Sequence, residues 1–237
     1  MGAGRCPPPV TFRGTCAPNT PGGREGARSC TVSGVRTPIL DLARPGVHAF
    51  CRAYFSLDLV GVENIPRDGP LIITPNHQTY ADPPLVTIPV RRPVHYMAWS
   101  RLFEIPGLSW MITRLRAFPV RLESQDPRAA REAVRLLEAG EALMIFPEGG
   151  RTLDGSVQPF KRGAFRLAVA LDVPVLPVTI DGGTRSWPPG RILPRPGAIR
   201  ITYHPPMRPA PGLEPRQAVL ELGRRVRDVI TGALLAV

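Results

Sequence analysis

Between Leu71 and Tyr203, short apolar runs rich in β-branched residues alternate with helix-length amphipathic stretches, and this alternation limits what the chain can fold into. Residues 142–146, ALMIF, and 173–180, VPVLPVTI, are apolar at nearly every position and lack a wet face. They read as strands buried on both sides. Leu71–Thr74 and Val94–Trp99 are shorter runs of the same kind, and Ile199–Tyr203 alternates like a strand with one solvated face. In the stretch SQDPRAAREAVRLLEAG, Asp126 suits an N-cap, Pro127 the first helical position and Gly140 a left-handed end. Ala130, Val134 and Leu137 form the stripe expected to face the sheet. A last helix over roughly 216–234 buries Val219, Leu222, Val226 and Ile230 and turns Arg224, Arg225 and Arg227 outward. Strands alternating with helices of this length predict an α/β fold: a layered, mixed or largely parallel sheet flanked by helices, in one domain over 39–237.

Ahead of that domain the composition changes. Residues 1–38 are rich in Gly, Pro, Arg and Ser with few consecutive apolar positions, so they bury too little surface to offset ordering and read as a disordered tail. From Ile39 to Val60 the pattern is apolar and aromatic, with Pro45-Gly46 dividing a short piece from a longer amphipathic helical piece. No internal repeat is present. Arg52 and Asp58 interrupt the best apolar stretch before it reaches the eighteen or so residues of a membrane span, and no secretory leader is expected. Cys6, Cys16, Cys30 and Cys51 contain no C-x-x-C pair and have no histidine cluster beside them, which predicts neither a zinc site nor a disulfide framework, in a reducing cytoplasm.

The formal charge is +11, and Lys161 is the only lysine among 30 basic residues. Arginine-biased coding and an attraction to anionic lipid or phosphorylated substrates both account for this. Nucleic-acid binding is not expected, because the arginines are scattered and no recognised module occurs.

Four segments carry candidate chemistry. ITPNHQTYADPPL, residues 73–85, places His77 and Asp82 five positions apart after a strand. In a helix that offset turns about 140°, so the pair can meet only if the chain turns between them. An N-capping aspartate and a solvated loop histidine are the plainer reading. FPEGGRT, 146–152, follows a buried run, and its paired glycines allow a turn whose N–H groups converge on an anion. FPVR, 118–121, ends a short strand in a guanidinium suited to phosphate, and VPVLPV, 173–178, reads as a pocket wall. GLSWM, 107–111, lacks the second glycine of a serine-hydrolase elbow.

In this order the blocks N-H-x-x-x-x-D, strand-terminal Arg, F-P-E-G-x-R and V-P-x-x-P-V resemble the glycerolipid acyltransferase family of the 1-acyl-glycerol-3-phosphate acyltransferase type, over roughly 60–178. The resemblance implies His77 as general base and Asp82 as its orienting carboxylate. It further implies a substrate-binding set of Asn76, Arg121, Glu148, Gly149, Gly150, Arg151, Thr152 and Lys161. Arg121 and Arg151 would hold a phosphate, Lys161 would lie near it, and Glu148 with Gly149-Gly150 would shape the acceptor site. Thr79 stands where the family commonly has serine, and Arg116 stands where it often has glycine, two residues before Phe118.

The chemistry agrees with these residue types. A thioester's thiol has a pKa of about 8.5 and departs without an added proton, so one imidazole base suffices. No metal or cofactor is expected, and the acyl donor would be acyl-CoA or acyl carrier protein. Three readings follow: acyl transfer to lysophosphatidate, glycerol 3-phosphate or another lysolipid; hydrolysis by the same pair; or non-catalytic binding of a lipid surface. The lipid substrates imply a peripheral or monotopic protein at the cytoplasmic face of the membrane. Residues 39–60 and the aromatic stretch 102–118 are the candidate docking segments for anionic lipid, with ordinary core the alternative for both.

Overall fold

The computed structural model describes residues 38–121, 126–188, 190–191 and 193–235, with side chains from residue 45 onward. The expected disordered tail lies outside the described residues apart from Pro38. Helix α1 (Pro38–Phe55) comes first and runs unbroken through Pro45, contrary to the expected break. The expected 39–60 segment also divides differently at its end, because Asp58–Val60 is strand β1 of the sheet. The chain continues through β2 (Leu71–Pro75), α2 (Asp82–Thr87), β3 (Val94–Trp99), α3 (Leu108–Arg114), β4 (Ala117–Val120) and α4 (Pro127–Glu138). Then follow β5 (Ala142–Met144), α5 (Gly163–Ala170), β6 (Val175–Asp181), α6 (Gly183–Ser186), β7 (Arg200–Tyr203) and α7 (Pro215–Leu235).

The strands form one seven-stranded sheet in the order β1-β7-β6-β2-β5-β3-β4. Five strands, β6 to β4 across that order, run parallel; β7 meets β6 antiparallel, and β1 runs parallel to β7. The mixed α/β architecture is therefore as expected. Central β2 is apolar at each of its first three residues because both its faces are covered. Leu71 and Ile73 pack with Cys51 and Phe55 of α1 and Leu85 and Val86 of α2. Ile72 points the other way, toward Leu137 of α4, Phe165 of α5 and Leu222, Val226 and Ile230 of α7. Truncating one such side chain to alanine costs about 2–5 kcal/mol.

Asp126 caps α4 through bonds from the Arg128 and Ala129 amides, and Gly140 ends it at φ 79°. The buried stripe of α4 is Ala129, Ala133, Leu136 and Leu137. Ala130 is exposed and Val134 only half-buried, which corrects the expected stripe. Adjacent alanines make two registers about 100° apart equally apolar, and Leu136 decides between them. Gly182, at φ 83°, sits where a Cβ would lie 2.0 Å from the Ala198 carbonyl, so the chain between β6 and β7 can close only with glycine there.

Parallel β2 and β5 are neighbours, so the loops that leave their C-terminal ends, 76–81 and 145–162, start side by side. Ligands of open α/β sheets bind at this edge.

Candidate active site

After β2, Asn76 turns inward. Its amide donates to the Ile180 carbonyl at 3.0 Å and accepts from the Ile180 amide at 2.7 Å. With its amide oxygen and one N–H bonded to β6 and the residue 1% exposed, Asn76 clamps β2 to β6.

The next six residues turn so that His77 and Asp82 meet. Nδ1 of His77 lies 2.8 Å from Oδ2 of Asp82, which is wholly buried at the start of α2. The same Oδ2 accepts the amides of Gln78 at 2.6 Å and Thr79 at 2.8 Å, while Oδ1 accepts the Thr79 hydroxyl at 2.6 Å. One carboxylate thus organises the whole turn, and the N-terminal end of α2 favours its negative charge. Because the carboxylate accepts, Nδ1 carries the ring proton and the lone pair sits on Nε2. The Phe146 ring stacks on the imidazole with centroids 3.9 Å apart.

The loop after β5 grips His77 from both sides. Glu148 accepts the His77 amide at 2.9 Å on Oε1 and the Gln158 amide at 2.9 Å on Oε2, and the Thr152 amide donates to the His77 carbonyl at 2.8 Å. Burial raises the Glu148 carboxyl above its ordinary range, and the two amide bonds oppose that rise. Thr152 is buried, and its hydroxyl donates to Asp154 and accepts from the Gly155 amide. Thr152 therefore builds the loop. Gly149 adopts φ 73°, and a Cβ there would meet the Lys161 side chain at 2.5 Å. The glycine makes room for the lysine to lie across the turn. Gly150 is exposed beside it.

Arg151 is half-buried, and its guanidinium carbon stands 3.5 Å above the centre of the Tyr80 ring. Arg121 is exposed, and its amide donates to Asp126 at 3.2 Å. It follows β4, three strands from β2, or about 14 Å along the sheet. The fold thus brings His77, Asp82, Glu148, Gly149, Arg151 and Lys161 together, and it leaves Arg121 on the flank. Tyr80 and Gln78 are additional parts that sequence reasoning did not single out. Their neighbourhood of His77 and Asp82 was the available signal. Among the described residues no group of three or more His, Cys, Asp or Glu could hold a metal.

An α/β sheet with a paired imidazole and carboxylate at its C-terminal edge, beside an arginine and a lysine, defines a class, and comparison with known proteins agrees. The acyltransferase family model matches residues 56–181, and the chain belongs to that family. Among solved structures it is similar to the 1-acyl-sn-glycerophosphate (LPA) acyltransferase PlsC of Thermotoga maritima, with TM-score 0.70, 33% identity, and coverage of 84% of this chain and 79% of that one. A chloroplastic 1-acyl-sn-glycerol-3-phosphate acyltransferase of Brassica napus is 31% identical over 161 residues, covering 65% of this chain and 46% of its own length. The 1-acyl-sn-glycerol-3-phosphate acyltransferase of Bacillus subtilis is 29% identical over 176 residues, 70% of this chain and 84% of that protein. The chain spans about half the length of the plant relatives it matches.

Proposed function

We propose that this protein transfers a fatty acyl group from a thioester of coenzyme A or acyl carrier protein to the free hydroxyl of 1-acyl-glycerol-3-phosphate, giving phosphatidate. The observation that carries the reading is the 2.8 Å contact of His77 Nδ1 with buried Asp82, which leaves Nε2 as the basic nitrogen of a ring that is 18% exposed. Nε2 takes the hydroxyl proton as the oxygen attacks the thioester carbonyl, and Asp82 stabilises the imidazolium that forms. The tetrahedral intermediate then expels thiolate. Arg151 and Lys161 supply positive charge for the acceptor's phosphate, and Glu148 holds the His77 backbone in place. The names of the similar proteins support this acceptor.

His77→Ala tests the assignment. Transfer of a labelled acyl group should fall by about 10²–10⁴-fold. Full transfer by the variant would remove the catalytic role and leave the lipid-binding reading. In the native protein thioester consumption should require the lysolipid; equal release of free fatty acid without it would identify a hydrolase.

The reading includes peripheral association with the cytoplasmic face of the membrane. No helix among the described residues is long and apolar enough to cross a bilayer. Within the expected docking stretch 102–118, α3 buries none of its residues, and Trp110 is 63% exposed with Ile105 and Met111 nearby. Arg114 lies over the Trp110 ring at 4.6 Å, a pairing suited to an anionic interface. Trp110→Ala should weaken co-sedimentation with anionic vesicles; unchanged co-sedimentation would exclude α3 from the contact.

A further inference from the structure

The 76–82 turn carries one aromatic side chain in the open. Gln78 and Thr79 are buried and tied to Asp82, but Tyr80 points outward and is 60% exposed. An exposed aromatic ring on an otherwise tightly bonded polar turn needs a reason. The reason visible in the structure is Arg151, whose guanidinium lies 3.5 Å over the face of that ring.

We infer that Tyr80 is a positioning residue that holds Arg151 flat and ready for the acceptor's phosphate. The inference rests on the proposed reading, in which Arg151 meets that phosphate. Its physical basis is the geometry of stacking. A guanidinium lying on an aromatic face is held through its π surface, so all five N–H donors remain in its free plane. An ion pair would hold the arginine equally well but would use those donors and neutralise the charge. Among the described residues no carboxylate pairs with Arg151, whereas Arg135, Arg185, Arg200, Arg208, Arg224 and Arg225 all have acidic partners. The ring therefore orders the side chain without blocking the edge that a phosphate would take in two parallel bonds.

The turn also gives Tyr80 its position. Two main-chain amides and one hydroxyl bind Asp82 within this turn, so the backbone that carries Tyr80 is anchored to the same carboxylate that orients His77. Tyr80 thereby sets the distance between the base and the phosphate-binding guanidinium. The acceptor must span the same distance, from its free hydroxyl to its phosphate.

The test is a double-mutant cycle on the full chain with Tyr80→Leu, Tyr80→Phe, Arg151→Ala and the pair Tyr80→Leu/Arg151→Ala, measuring KM for lysophosphatidate and for the thioester. Leucine keeps volume but removes the π face, so Tyr80→Leu should raise KM for lysophosphatidate about fivefold, with a smaller change in kcat and in the thioester KM. Tyr80→Phe should restore the KM, since the ring and not the hydroxyl does the holding. In the Arg151→Ala background Tyr80→Leu should add nothing further. A Tyr80→Leu effect of equal size in both backgrounds, or no effect in either, overturns the inference while leaving the phosphate role of Arg151 standing. If Arg151→Ala itself leaves the lysophosphatidate KM unchanged, the phosphate-binding reading fails, and this inference fails with it. Thermal unfolding of each variant separates loss of fold from loss of position.

Discussion

Asp82 is wholly buried and receives four hydrogen bonds, whereas Arg151 lies half-buried on an exposed ring and meets no carboxylate among the described residues. The base half of the site is thus held by directional bonds in a water-poor setting, where a missing partner is costly. The anion half is held by one stacking contact, and the β3–β4 flank, which carries Arg121 away from it, has backbone that departs from ordinary geometry. Arg116, just before β4, adopts φ 65°, a left-handed conformation that disfavours any side chain. It occupies the position where glycine was expected from the family pattern. On the proposed reading, proton transfer falls to a half fixed by several directional bonds and headgroup capture to a guanidinium held by a single ring.

The sharpest way to break this comparison is Asp82→Asn. The amide would put a donor among donors, so kcat should fall by about 10³–10⁴ and stability by roughly 2–4 kcal/mol, read by acyl transfer and by denaturant unfolding. A variant with normal stability and low kcat would show that the carboxylate orients His77 without building the turn. Next in size, Arg151→Ala should raise the acceptor KM by a factor of tens, about 2 kcal/mol, with stability nearly unchanged. Arg121→Ala should do less, because the structure leaves Arg121 exposed and some 14 Å along the sheet. Equal effects would place the headgroup between the two arginines.

The flank makes a pH prediction. Burial, and after it the nearby Arg116 charge, push the His95 imidazole down to about 4. Unfolded, that imidazole takes a proton below about 6.5. The unfolded chain therefore binds more protons between about pH 6.5 and 4, and stability is lost as pH falls through that window. His95→Gln should flatten the loss by about 1–2 kcal/mol at pH 5, measured by thermal unfolding at pH 7 and 5. An unchanged slope would assign the acid sensitivity elsewhere, with His204, also lowered by burial, the next group to test. The smallest effect belongs to Arg116→Gly, which should raise stability by about 0.5–1 kcal/mol at pH 7 by relieving the left-handed residue. It should also make the acid slope shallower by removing a charge facing His95; steeper acid loss would contradict the electrostatic account.

Much of this was legible in the chain itself, for reasons specific to each element. The run at 94–99 forms the expected strand because a short, mostly apolar run between Pro93 and polar Ser100 has few other choices. The caps of α4 follow from the Asp126 carboxylate, which acts within three residues, and from the backbone freedom of Gly140. The His77–Asp82 contact was readable only through the family resemblance, since the spacing alone left an N-capping aspartate and a solvated histidine as the plainer reading. Asn76, Thr152 and Tyr80 were not readable in the same way. Asn76 finds its partner in β6, Thr152 in the His77 carbonyl and Tyr80 in Arg151, each more than seventy positions away along the chain. Local pattern says nothing about which distant backbone will present itself.

The hold of the β5 loop on both peptide groups of His77 has one more consequence. Neither loop is a portable module: a designer who transplanted the 76–82 segment alone would deliver an imidazole on an unsupported hinge. Variation at Glu148 must likewise be felt at His77, so the two loops are engineered as one piece.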